Sequence, residues 1–460
     1  MRSDAVSVAC GLEAVAVFRW VSAHSRGARE QEGWLATLDA AVGGRGPVSE
    51  AGRSRIGAIK EGLSNARGPL GVLAAVSFVS SLGIGVMLPL LPLYAVSLGA
   101  TPLQLGLMTG GFALMNTVGQ LLAGVYIDRG GSLRVVRLGT GVYAAANALI
   151  ATVHDASALI GFRGMAGLGT GADQIGSRVY LARIARAERM GFVNGVLGSA
   201  GAAGTVLGPA FGGTVVALFD LRAPFVIVAA TSTLALGGLL TLAMPKGEPA
   251  PATTDTGSMF NRPVITLLLA NTLLATGFGG FITTYAPFAT QIRGWSTFEV
   301  GLLFTAAGAG AVAFGAGLGL FADKTGRRRL AIVATIPASL MGLGIVFDLA
   351  HPLLYALMFI AGGGMAGFTA SWFALLNEAA PKGRKGRTIG VVSALSNIGT
   401  IAGALGASAL WQLVGLPYSL VLASGFILTA GLALVALPSD GRPVRSLALV
   451  EPALDPSAGS

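Results

Sequence analysis

The chain has 460 residues, 53% of them hydrophobic and only 11% charged, against about 25% charged in a soluble globular chain. Its mean hydropathy is +0.72, with 69 Gly and 20 Pro, both of which are more frequent in membrane helices than in soluble ones. These values exclude an ordinary soluble domain and point to a polytopic membrane protein; with Cys10 as the only cysteine, no disulfide can form within the chain.

Residues 1–66 differ in character, holding eight Lys and Arg and seven Asp and Glu. Their longest apolar run, AVAVF at 14–18, is too short to span a bilayer. They read as a mobile cytoplasmic extension. A membrane helix needs about 20 mostly apolar residues. Such runs follow near 69–97, 103–127, 133–153, 156–182, 190–218 and 222–243, then near 264–290, 297–322, 329–349, 351–378, 387–414 and 417–437. Counted with the first five residues of the following span, the loops after the even-numbered spans carry sixteen Lys and Arg, and those after the odd-numbered spans carry two, Arg222 and Arg293. By the positive-inside rule both termini are cytoplasmic, in a cell (plasma) membrane. The net charge of +10 is thereby a matter of topology, and no nucleic-acid partner is expected.

The chain also repeats itself. At a shift of 195 residues, Pro92 meets Pro287, Gly99 meets Gly294, Thr101 meets Ser296 and Gly106 meets Gly301. In the same register Gly124 meets Gly319, Asp128 meets Asp323 and Gly131 meets Gly326. The expected organisation is a six-helix half at 67–243, a flexible cytoplasmic linker at 244–263, a second half at 264–437 and a cytoplasmic tail at 438–460. Duplicated halves of this kind suit a carrier that rocks about a central site.

Three motifs carry the functional reading. GVYIDRGG (124–131) and GLFADKTGRRR (319–329) follow spans 2 and 8. In them a Gly lets helices approach, an Asp sits where an Arg or a helix N-terminus can neutralise it, and a second Gly permits a tight turn. The gating residues are Gly124, Asp128, Arg129 and Gly131, with Gly319, Asp323, Lys324, Gly326, Arg327 and Arg328. Span 4 contains RGMAGLGTG (163–171), with Arg163 inside an apolar run ahead of Gly167, Gly169 and Gly171. Span 5 contains GVLGSAGAAGTVLGPAFGG (195–213), with Gly195, Gly204, Gly208, Pro209, Gly212 and Gly213. Gly204, Gly208 and Gly212 fall on one helix face and offer a close-packing groove. Pro209 adds a kink there, at a place where two halves could meet.

These motifs resemble the major facilitator superfamily over residues 69–437, and look closest to its twelve-helix multidrug and tetracycline exporters. GLFADKTGRRR fits the superfamily pattern G-x-x-x-D-[RK]-x-G-[RK]-[RK]. The first copy has Ser132 and Leu133 where basic residues are usual. RGMAGLGTG matches R-x-x-x-G-x-G-x-G, and the span 5 sequence resembles the fifth-helix motif of drug:proton antiporters. The resemblance implies an all-α major facilitator fold of twelve transmembrane helices. It implies a monomeric secondary transporter that exports small amphipathic compounds in exchange for protons, without cofactor or metal. One departure stands out: many such antiporters have an acid in the first helix, but residues 69–98 contain none.

Charges at membrane depth are functional candidates by default. Asp173 is the leading proton carrier and Glu378 the second. For Asp173 the alternative is a salt bridge with Arg163, Arg178 or a loop Arg; for Glu378 it is a helix-end charge, and for Arg163 snorkelling to the outer surface. Polar candidates for a substrate cavity are Asn116, Gln120, Asn271 and Asn397. Aromatic candidates are Phe112, Tyr285, Phe368, Trp372 and Phe373, for each of which burial between helices or against lipid is the competing reading. The rival functions are a carrier of the same fold for another solute, such as a sugar, and a non-transporting membrane sensor. With three histidines (His24, His154 and His351) and no metal-ligand cluster, enzyme chemistry is not expected.

Overall fold

The computed structural model describes residues 69–184, 190–242, 260–381 and 385–437. The extension at 1–66, most of the 244–263 linker and the tail at 438–460 lie outside the described residues. Within them the chain forms twelve long helices and no strand. In chain order these are α1 (Pro69–Ser97), α2 (Pro102–Gly130), α3 (Ser132–Thr152), α4 (Ala156–Ile184), α5 (Met190–Leu218) and α6 (Ala223–Leu240). They continue with α7 (Arg262–Gln291), α8 (Thr297–Thr325), α9 (Arg327–Val346), α10 (His351–Ala379), α11 (Lys385–Leu413) and α12 (Leu416–Ala433), followed by a short 3-10 turn, Leu434–Ala436. Eleven of them are long and apolar enough to cross a bilayer. The exception is α4, in which Arg163, Asp173 and a run of glycines dilute the apolar content.

Every expected span is a helix, and the boundaries that moved did so for local reasons. α7 begins at Arg262, inside the expected linker, because the Asn261 side chain accepts from Val264 N (2.9 Å) and caps the first turn. α9 stops at Val346, before the expected 349. There Arg293 donates to the Ile345 and Val346 carbonyls (3.1 and 2.7 Å) and pairs with Asp348 (3.2 Å), whose φ of 54° ends the helix.

The repeat has a physical content. α2 and α8, α3 and α9, α4 and α10, and α5 and α11 each begin 195 residues apart. Gly99 and Gly294 have φ of 77° and 70°, and Gly131 and Gly326 have 87° and 98°, values that favour glycine. Thr101 and Ser296 each cap the next helix, with Gln104 and Glu299 reaching back to the cap backbone at 2.8 Å.

α1 packs on α5 and α6, and α4 lies between α2 and α3, which also meets α6. In the same way α7 packs on α11 and α12, and α10 lies between α8 and α9, which meets α12. Two seams join the sets, α2 against α11 and α5 against α8. The bundle has one end where Gly131 and Gly326 turn the chain, called the basic end below, and an opposite, far end.

Candidate functional site: a cavity closed at the far end

Glycines set the spacing. On α4, Gly167 and Gly171 face α2, lying against the Phe112 and Asn116 carbonyls. Gly169 faces the other way, where a Cβ would stand 2.6 Å from the Gly139 carbonyl oxygen of α3. α10 repeats this with Gly362 against Ala307 of α8, and Gly364, whose Cβ would stand 2.6 Å from the Ala334 carbonyl oxygen of α9. The α5 stripe is seated on α1. A Cβ at Gly208 would meet the Leu82 carbonyl oxygen at 2.6 Å and Gly85 Cα at 2.8 Å, and one at Gly212 would meet Leu90 at 2.9 Å. Gly204 lies against Phe78 and Leu82 of the same helix. So the stripe packs within the first six helices rather than between the two sets. The kink beside it is what crosses: Ala210 N–H donates to Thr305 Oγ1 of α8 at 3.0 Å, and Gly213 lies against Phe298.

Both seams run from the far end to mid-helix. Gly301 lies under Pro209 and Gly308 under Val206 on one side. On the other, Gly106 fits against Ala404 and Ser408, Gly110 against Ile401, and Asn397 Nδ2 donates to Thr117 Oγ1 at 2.9 Å. Nearer the basic end, a Cβ at Gly198, Gly315 or Gly390 would meet nothing within 4 Å. The two sets are thus joined at the far end and parted toward the basic end.

The third face of α4 looks into the space between them. Arg163, Thr170, Gln174 and Ser177 are spaced seven, four and three residues apart and form one stripe. Gln174 is exposed although it sits mid-helix, and Gln120 Nε2 reaches its Oε1 at 3.4 Å and Asn116 Oδ1 at 2.8 Å. The Arg163 guanidinium turns inward rather than snorkelling. Its Cζ lies 3.9 Å from the Phe112 ring centroid, and Nη1 donates to Met87 Sδ at 3.4 Å. Asp173 sits beside the stripe on the α3 side, with Oδ1 accepting from Thr140 Oγ1 (3.2 Å) and Ser177 Oγ (3.4 Å). Among the described residues it has no cationic partner; the Arg178 side chain lies outside them.

Several expected cavity residues are packing residues instead. Phe368 and Trp372 are buried in the core between α7, α9 and α10, and Trp372 Nε1 donates to the Leu267 carbonyl at 2.8 Å. Their large apolar rings find more cover between helices than on an open wall. Asn116 is buried against the Gly167 carbonyl (3.4 Å), held there by the close α2–α4 approach. Tyr285 is fully buried with Phe281 and Phe304 in the aromatic plug of the far end. Of the expected residues Gln120, Asn397, Asn271 and Phe112 remain partly covered, Phe112 beneath the Arg163 guanidinium; Phe373 is exposed and stacks edge-on against Trp372. Gln174 and Thr117 also border this space and are not among the residues expected from sequence. Gln174's helical register with Arg163 was the signal available for it.

At the basic end, Gly131 and Gly326 are one-residue links between consecutive helices. Most of the motif is therefore helical rather than loop. Arg327 pairs with Glu378, which places Glu378 in an exposed ion pair at the basic end rather than among buried groups. Arg328 donates to the Leu434 and Val435 carbonyls (3.0 and 2.7 Å). The side chains of Asp128, Arg129, Asp323 and Lys324 lie outside the described residues, as do those around Gly319.

Known proteins share this architecture. The solved structures that match the fold include a bacterial homologue of the human lysosomal transporter Spinster, inward-facing and occupied, and the nucleoside transporter NupG. The first has a TM-score of 0.66 at 17% identity and covers 80% of this chain and 95% of its own. The second has 0.68 at 14%, covering 80% and 99%. By sequence the chain is 27% identical over 368 residues to a multi-drug resistance efflux pump PmrA homolog of Lactococcus lactis subsp. lactis, covering 76% of this chain and 90% of that protein. It is 27% identical over 245 residues to the quinolone resistance protein NorA of Staphylococcus aureus, covering 50% and 61%. The model of the Major Facilitator Superfamily matches residues 73–347 and 267–455. The family that the motifs resemble is thus the one found by direct comparison, and the chain belongs to the Major Facilitator Superfamily.

Proposed function

We propose that the protein exports small amphipathic compounds by proton antiport, its two six-helix halves rocking about the central cavity. The observation that carries this is α5. Its glycine stripe seats it rigidly on α1, while Pro209, Ala210 and Gly213 present its other face to α8. The antiporter motif therefore lies where one half must move against the other. The efflux pump of L. lactis, similar over most of the chain, supports the same reading. Both seams close within one chain, which supports a monomer as the transporting unit. The surplus of Lys and Arg on the even-numbered loops supports a plasma-membrane orientation with cytoplasmic termini.

Asp173 carries the proton in this reading. It is the one acid of the twelve helices away from a helix end, and its partners are hydroxyls, which can serve either protonation state. Glu378 belongs to the ion pair with Arg327. The test is substrate-driven proton flux in proteoliposomes. Asp173→Asn should abolish it, and flux at the wild-type rate rules the assignment out. In a pump-deficient host, expression should lower the accumulation of an amphipathic dye. Energy-dependent uptake would overturn export.

A further inference from the structure

Among the described residues Arg163 has no counter-charge. α1, α3, α5, α6, α7, α9, α11 and α12 contain no Asp or Glu at all. Of the acids on the other helices, Asp128, Asp323 and Glu378 lie in the last turns at the basic end, and Glu299 lies in the first turn at the far end. Asp173 is ten residues along α4 from Arg163, about 15 Å, and it is turned to α3. The guanidinium has five donors. One meets a thioether sulfur, a weak acceptor; Nε is buried with no partner, and among the described residues no oxygen accepts from any of them. Phe112 and Met87 hold the group in place by its flat face and one edge, and they do not neutralise it. The matching wall of the other half is different in kind. The position 195 residues on is Met358, fully buried in the far-end core, and further along the same stripe Met365 is partly covered and Thr369 exposed.

We infer that Arg163 is the docking point for an acidic group on the transported compound, so that the cavity selects carboxylate-bearing amphipaths over lipophilic cations. This rests on the exporter reading for the existence of a small-molecule site, and it adds the charge class. A carboxylate fits a guanidinium edge with paired hydrogen bonds. The compound's apolar body then lies toward Met365 of α10, whose thioether adapts to varied shapes. A cation in the same place would face an uncompensated positive charge with no acid at that depth to offset it.

A matched set of probes tests this: 1-naphthoate, 1-naphthamide and 1-naphthyltrimethylammonium share one ring system and differ in charge. Binding of each to the purified full-length protein is measured by equilibrium methods. Wild type should bind naphthoate roughly tenfold more tightly than the ammonium compound, the scale of one charge-assisted contact. Arg163→Gln should bring the ratio close to one by weakening naphthoate, and Arg163→Lys should keep most of it. The wild-type ranking stands independently of how either variant folds. A flat or reversed wild-type ranking, binding of none of the three, or a monodisperse Arg163→Gln protein that keeps the preference overturns the docking role. Failure of the exporter reading is separate: naphthoate would bind with the expected ranking, yet a proton gradient would drive no probe across the membrane.

Discussion

Single arginines end several of these helices. Arg137 on α3 donates to the carbonyls of Leu239 (3.2 Å), Leu240 (3.3 Å) and Leu242 (2.8 Å) at the end of α6. Arg328 on α9 does the same for the end of α12, and Arg293 for the end of α9. The last carbonyls of a helix lack intrahelical donors and carry the negative end of its dipole, so a cation there is doubly favoured. The residue 195 before Arg328 is Leu133, and the first motif therefore looks incomplete. Arg137 lies one turn further along the same face and supplies the missing contact. Read from sequence alone, it counts only as a topogenic charge, because nothing in the pattern says which carbonyls it reaches. Arg137→Ala should destabilise the purified protein by about 2 kcal/mol, since it removes charged hydrogen bonds from three carbonyls at the helix end, of which Leu239 keeps a backbone donor, the Leu242 N–H at 3.3 Å. Arg137→Lys should recover only part of this, lacking the planar fork. Thermal unfolding in detergent reads both, and an unchanged midpoint for the alanine variant would mean water caps α6 equally well.

At the level of elements, glycine decides how close two helices lie, and the same helix carries glycines with and without that task. A Cβ at Gly208 would stand 2.6 Å from a backbone oxygen of α1, whereas one at Gly198, on the same α5, would meet nothing. Gly208→Ala should therefore cost about 1–3 kcal/mol through forced separation of α1 and α5. Gly198→Ala should be neutral or stabilising by up to about 1 kcal/mol through helix propensity. Equal effects in the two variants, measured side by side by thermal unfolding, would remove the close-packing account. This contrast also explains what was legible in advance. The repeat pairs Gly99 and Gly294, and Gly131 and Gly326, stand out because each needs a positive φ, which few other residues accept. Gly106 and Gly301 stand out because each lies under the opposite half. The span count was legible because apolar length is all that a bilayer requires. The partner of each glycine face was not, since spacing along a helix says which residues share a face and not what that face meets.

At the scale of the whole molecule, the cavity walls were the least legible part. Phe368, Trp372 and Tyr285 have the composition of a drug site, yet in a bilayer an aromatic ring is at home on any face, so composition cannot separate wall from core. Polar side chains sort better, because each must find a partner, and Gln120, Gln174, Thr117 and Asn397 find theirs around the central space. The hydrogen bond from Asn397 to Thr117 is the innermost contact of the α2–α11 seam described above, with the parted region beyond it. It adds to the joined state and must break if the far end is to open. A single hydrogen bond is worth about 1 kcal/mol, or about fivefold in a two-state population. Ser408 reports on that opening. It is fully buried against Gly106 in the same seam, its hydroxyl has no partner, and cysteine is nearly its isostere. In a Cys10→Ser, Ser408→Cys background, a membrane-impermeant maleimide applied from the far side should label slowly. Adding Asn397→Ala should raise the labelling rate about fivefold, the change expected for one lost hydrogen bond. An unchanged rate would show that the glycine contacts at Gly106 and Gly110 hold the seam without help, and that the hydrogen bond only sets its register.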